Sequence, residues 1–119
     1  MGLIRKHLAQ VVGTTSAVSA LSGIAGKIVV IQQIIICNTT GGAITARVFL
    51  DNNGTTYDAT TAILYDKSIG ANDYLYLNFG WGGDATGLYL TDSGGNLAVR
   101  ASANTSLTFT INGAEIFSG

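Results

Sequence analysis

Apolar and polar residues alternate along this chain with a period of two, and that pattern limits its fold more than any other feature. Along residues 43–51, Ile44, Ala46, Val48 and Leu50 fall on one face and Thr45, Arg47 and Asp51 on the other, joined by Phe49. Along 73–79, Leu75, Leu77 and Phe79 alternate with Tyr74, Tyr76 and Asn78. Leu97 and Val99 alternate with Ala98 and Arg100, and Leu107, Phe109 and Ile111 with Thr108, Thr110 and Asn112. Side chains of an extended chain point to opposite faces in turn, so the pattern predicts half-buried antiparallel strands rather than helices. Residues 28–37 differ, because Ile28, Val30, Ile34 and Ile36 oppose Val29, Ile31, Ile35 and Cys37. A strand apolar on both faces is expected to be covered on both, by a second sheet and by something else.

Turn chemistry separates these runs. Asp51-Asn52-Asn53-Gly54 is a strong hairpin sequence, because Asn-Gly readily takes the positive φ of a tight turn. Thr39-Thr40-Gly41-Gly42, residues 69–73, Asp92-Ser93-Gly94-Gly95 and Ala103-Asn104 play the same part. The spacing predicts roughly seven to nine short strands, arranged as a sandwich or barrel. Residues 80–87 read as one long irregular loop. Residues 1–26 alternate weakly and read as a Ser/Ala/Gly-rich arm with one strand near 8–13, leaving 27–119 as the β-domain.

Composition excludes several classes. A chain of 119 residues holds one domain. Six basic residues against seven acidic ones provide no basic surface for nucleic acid. A hydrophobic share of 47% excludes a disordered tail. One cysteine excludes an intrachain disulfide and any multi-thiolate zinc site. The most apolar run, 28–37, is too short to span a membrane and contains Gln32-Gln33. The stretch after Arg5-Lys6-His7 is too polar for a signal-peptide core. With only 11% charged residues and abundant Thr, Ser, Asn and Gly, a β-protein with much surface sheltered by partners is expected.

Residues that carry chemistry are sparse. His7 lies in the arm, and no Gly-x-Ser-x-Gly elbow accompanies it. Cys37 reads as a buried packing thiol, with no charge nearby in sequence to activate it. Asp51, Asp58, Asp66, Asp73, Asp84 and Asp92 sit at or near turns, where a short carboxylate bonds the local backbone. Gly80-Trp81-Gly82-Gly83 lacks the Lys-Ser/Thr ending of a phosphate loop. Trp81 with Tyr74, Tyr76 and Tyr89 forms either a sugar-stacking platform or, preferably, an interface surface. No catalytic, cofactor or metal site is expected, and the chain does not read as an enzyme.

The order of strands and turns resembles the small β-sandwich virion proteins of tailed bacteriophages, of the capsid cement or decoration type. The resemblance covers roughly residues 28–117. It rests on the apolar strand ending Ile36-Cys37-Asn38-Thr39-Thr40 and on Thr45-Ala46-Arg47-Val48-Phe49-Leu50 with its Asp51-Asn52-Asn53-Gly54 turn. Lys67-Ser68-Ile69 before Gly70-Ala71-Asn72-Asp73, residues 101–105, and Gly113-Ala114-Glu115-Ile116 complete it. Absence of Pro and the long 80–87 loop depart from the family's pattern. The resemblance implies an all-β, antiparallel, jelly-roll-like sandwich with an extended N-terminal arm. It also implies a homo-oligomer, a trimer, that clamps neighbouring major capsid proteins on the virion surface. A neck, tail or fibre adaptor and a carbohydrate-binding module are the alternatives. The expected partner-binding residues are Leu3, Ile4, Leu8, Val11 and Val12 of the arm, with Trp81, Tyr74 and Tyr76. No nucleic acid, membrane or cofactor is expected as a partner. Deleting residues 1–20 is expected to leave a folded protein that no longer binds capsids.

Overall fold

The computed structural model describes residues 3–80 and 87–117. Within them the chain forms nine strands and no helix: β1 (Leu3–Val12), β2 (Val18–Ser22), β3 (Lys27–Asn38), β4 (Ile44–Asp51), β5 (Ala62–Ile69), β6 (Tyr74–Asn78), β7 (Leu88–Leu90), β8 (Asn96–Ala101) and β9 (Leu107–Phe117). They make two antiparallel sheets. One has the order β1-β9-β3-β6, with short β7 also on β3, and the other runs β2-β8-β4-β5. The connectivity is a nested hairpin. β4 pairs β5, β3 pairs β6 and β7, β2 pairs β8, and β1 pairs β9. Wrapping that long hairpin closes β3 onto β9 and β4 onto β8. This is jelly-roll topology, with β7 as an added short strand.

The inward residues of the two sheets form one core. Val29, Ile31, Ile34, Ile36, Leu107, Phe109 and Ile111 face Ala46, Val48, Leu97, Val99 and Ala101. The alternation seen in β4, β6 and β9 therefore reports real faces. It fails in β3, where strict period two would group Val30 with Ile34. A bulge between Ile31 and Gln33 sets Gln32 outside the pairing with β9 and switches the parity of the strand. Val29 and Ile31 thus face the core on one side of the bulge, and Ile34 and Ile36 on the other. β1 has a matching shift between His7 and Ala9. Just beyond the two shifts on β9 lies Gly113, where a Cβ would overlap the Val30 carbonyl oxygen, so only glycine passes here.

Two buried asparagines tie the ends of the sandwich. At one end Asn38 donates from Nδ2 to the carbonyls of Gly42 (2.9 Å), Ile69 (3.0 Å) and Gly70 (3.0 Å). Its Oδ1 accepts from Thr40 N at 2.9 Å and Thr40 Oγ1 at 2.8 Å. The turn after β3 is thereby fastened to the turn after β5. At the other end Asn96 Oδ1 accepts from Ser19 and Ser22, and its Nδ2 donates to the Gly54 and Gly94 carbonyls. The amide nitrogen of Asn38, first residue of a glycosylation sequon, is thus consumed inside the fold.

The N-terminal segment differs from the arm expected over 1–26. Leu3–Val12 pairs along its length with β9, and Val18–Ser22 pairs with β8, so the segment supplies an edge strand to each sheet. Leu8 and Val11 pack against the core, together with Val18, Ala20 and Leu21. Sequence alternation was weak there because β1 carries the shift at Leu8 and β2 carries another between Ser19 and Leu21.

Two outcomes follow. Asn38→Asp puts a carboxylate oxygen against three carbonyls and removes their donor, so chemical denaturation should show a loss of about 1–3 kcal/mol or more. Deletion of residues 1–22 strips an edge from both sheets, so circular dichroism of the truncated chain should show no cooperative unfolding transition.

Candidate functional site

Part of the outer face of the five-stranded sheet is an uncharged platform. Register places its side chains in three rows of four. Val12, Thr108, Cys37 and Tyr74 form the first, and Gln10, Thr110, Ile35 and Tyr76 the second. His7, Asn112, Gln33 and Asn78 form the third. None of these is an acid, a lysine or an arginine. Polar neighbours in the rows bond each other: Gln10 Nε2 donates to Thr110 Oγ1 at 3.0 Å, and His7 Nδ1 lies 3.2 Å from Asn112 Oδ1. The apolar members stay open to solvent, Tyr74 at 65%, Val12 at 51% and Tyr76 at 46%. On the same side beyond the bulge, Tyr89 stands opposite Val30 at 46% exposure.

Several sequence-expected residues meet here and others do not. Val12, Tyr74 and Tyr76 share the platform. Ile4 is exposed but stands opposite Glu115, outside the three rows. Leu8 and Val11 turn to the core instead. The backbone of Leu3 pairs with Ile116 at the far end of β1. Trp81 and Asp84 lie outside the described residues, as does most of the expected 80–87 loop. Cys37 corrects an expectation: it is exposed, not a buried packing thiol. It faces outward between Tyr74 and Thr108, and the second sheet lies on the other side of β3.

The outer face of the four-stranded sheet is charged. Arg47 and Arg100 stand directly opposite each other on β4 and β8. Asp66, at φ 54° beside an irregularity in the β4–β5 pairing, grips Arg47 with two bonds, Nε to Oδ1 at 2.6 Å and Nη2 to Oδ2 at 3.0 Å. The Arg47 guanidinium also lies 4.0 Å over the Tyr65 ring, and Tyr65 meets Phe49 edge to face. Arg47's hydrogen bond holds the Asp66 carboxyl below its ordinary range, and desolvation opposes it. Arg100 donates from Nε to the Thr15 carbonyl at 2.7 Å. These charges were visible in the sequence, but their meeting depends on a register that sequence does not reveal.

A third charged group lies on β9. Glu115 is buried at 6% exposure, with Lys27 Nζ 2.9 Å from Oε1 and Lys6 Nζ 3.1 Å from Oε2. It fixes β1 and β3 to the distal half of β9. Asp66, expected at a turn, lies instead within β5, where its partner is Arg47. Other described aspartates serve turns, as expected: Asp51 accepts from Asn53 N and Thr56 N, Asp58 from Thr60 N, and Asp92 from Gly94 N.

No family model matches the chain, and no curated protein matches it.

The Lys27 hydrogen bond, followed by that of Lys6, lowers the Glu115 pKa against a desolvation penalty. A carboxyl depressed on folding stabilises the protein above its unfolded value and loses that contribution as pH falls through its folded value. Glu115→Gln should therefore lower Tm at pH 7. The gap from the parent protein should close as pH drops below about 4.5, the ordinary glutamate value. Thermal melts across pH 7 to pH 3 measure it.

Proposed function

We propose that this chain is a structural virion protein, a decoration subunit that associates with copies of itself and with the major capsid protein on a phage head. The observation that carries this reading is the set of three uncharged rows on the outer face of the β1-β9-β3-β6 sheet. A face holding Val12, Ile35, Cys37, Tyr74 and Tyr76 in neighbouring rows buries apolar area on contact with a second copy. No charge has to be desolvated there. Four strands about 4.8 Å apart and rows about 6.6 Å apart make a footprint on the order of 300 Å². That is well under the roughly 800 Å² each partner gives a standard interface, so one such contact is weak. Weak contacts repeated over a symmetric shell gain strength through effective concentration, which is how a decoration layer holds. Jelly-roll topology and the resemblance of residues 28–117 to phage cement proteins support the same reading.

A sugar-binding reading would use the same edge, because Tyr74 and Tyr76 present neighbouring rings on one face.

Quantitative mass spectrometry of purified particles should find this chain at a simple fraction of the major capsid protein, near one-third to one. A few dozen copies or fewer would move it to the neck, tail or fibre, and absence would overturn the virion reading. Ile35→Lys together with Tyr76→Lys should convert the oligomer to a monomer by light scattering while leaving circular dichroism unchanged. An unaltered mass would remove the sheet face from the contact. Quenching of Trp fluorescence by millimolar glycans would favour the sugar-binding reading.

A further inference from the structure

The charged face on the opposite side of the sandwich carries an independent inference. Two arginines directly opposite each other on neighbouring strands repel, and such pairs are destabilising unless an anion intervenes. Asp66 supplies one negative charge, bonding Arg47 through both oxygens and reaching Arg100 through space without a hydrogen bond. Arg100 is left with a backbone carbonyl as its acceptor, through Nε alone among the described residues.

Both arginines line one open cavity of about 180 Å³ with Thr45, Asp66, Ala101 and Ser102. Its chemistry is rich in donors. Ser102 Oγ accepts from Thr45 N at 2.9 Å, which leaves the hydroxyl proton free to donate. Arg100 keeps its terminal amino groups, and Arg47 is held rigid by Asp66 and Tyr65. Two guanidiniums and one carboxylate leave a net charge of +1. That matches a monoanion, whereas a phosphate dianion would overmatch it and approach Asp66. The volume is below the roughly 300 Å³ of a small-molecule pocket and suits a side chain or a small acid.

We infer that the Arg47–Arg100 cavity is a carboxylate-binding site, in which the free amino groups of Arg100 and the Ser102 hydroxyl hold the carboxylate while Asp66 fixes Arg47 beside it. The carboxylate comes either from an acidic side chain on a partner protein or from an acidic sugar; the recognition chemistry is shared.

Two-dimensional NMR on the full chain tests this with sodium acetate as the probe and sodium chloride at matched ionic strength as the control. Acetate should shift the Arg100 Nε–H and Ser102 amide signals saturably where chloride does not. Arg100→Gln should weaken the response about tenfold or more, the loss expected for a charge-assisted bond. Lys67→Gln removes the same charge from β5 outside the cavity and should leave the response intact. Tighter binding of N-acetylglutamate N-methylamide than of acetate would support a protein source, and tighter binding of N-acetylneuraminate a glycan. Equal shifts with chloride, an unchanged response in a folded Arg100→Gln, or phosphate binding tighter than acetate would overturn the assignment.

Discussion

The pairing of β3 with β9 is the constraint on which the rest of the molecule depends. These central strands run together from Lys27↔Phe117 to Asn38↔Leu107 and carry half of the core on their inner side. The bulge at Gln32 lets one strand remain apolar on both sides and still present the right face throughout. Without that extra residue, one half of β3 would turn its core side chains to solvent. Gly113 on β9 and the shift in β1 are the adjustments made by the neighbouring strands.

Much of the fold was legible in the sequence, and where it was not the cause is specific. The inward faces of β4, β6 and β9 follow directly from Val48, Leu77 and Phe109 and their spacing. β2 went unseen because a shift between Ser19 and Leu21 interrupts a five-residue strand. β1 was expected only near its end, since Leu8 breaks its period. Cys37 was misplaced because an apolar outward face resembles a buried one until the layers are counted. Of the candidate residues, Val12, Tyr74 and Tyr76 converge through cross-strand register. Leu8 and Val11 are absorbed by the core, as apolar edge-strand residues commonly are. The Arg47–Asp66–Arg100 group could not be found by spacing, because its members lie on three strands whose alignment only tertiary structure fixes.

The two outer faces are chemically unlike. One carries three uncharged rows, with exposed tyrosines along its β6 edge. The other concentrates Arg47, Asp66 and Arg100 around a small polar cavity. In a chain this poor in charge, such a segregation gives the sandwich two distinguishable sides.

The nested hairpin has a consequence for how the protein is made. Strands emerge from a ribosome in chain order, but β1 has no partner until β9 exists, and the Lys6–Glu115 ion pair spans 109 positions. β4 and β5 can pair first, and β6 can then join β3. The apolar strand β3 is therefore synthesised long before β9 can cover its edge, which leaves a sticky segment waiting during translation. Folding then zips outward from the β4–β5 turn, and its rate is limited by distant closures rather than by local structure.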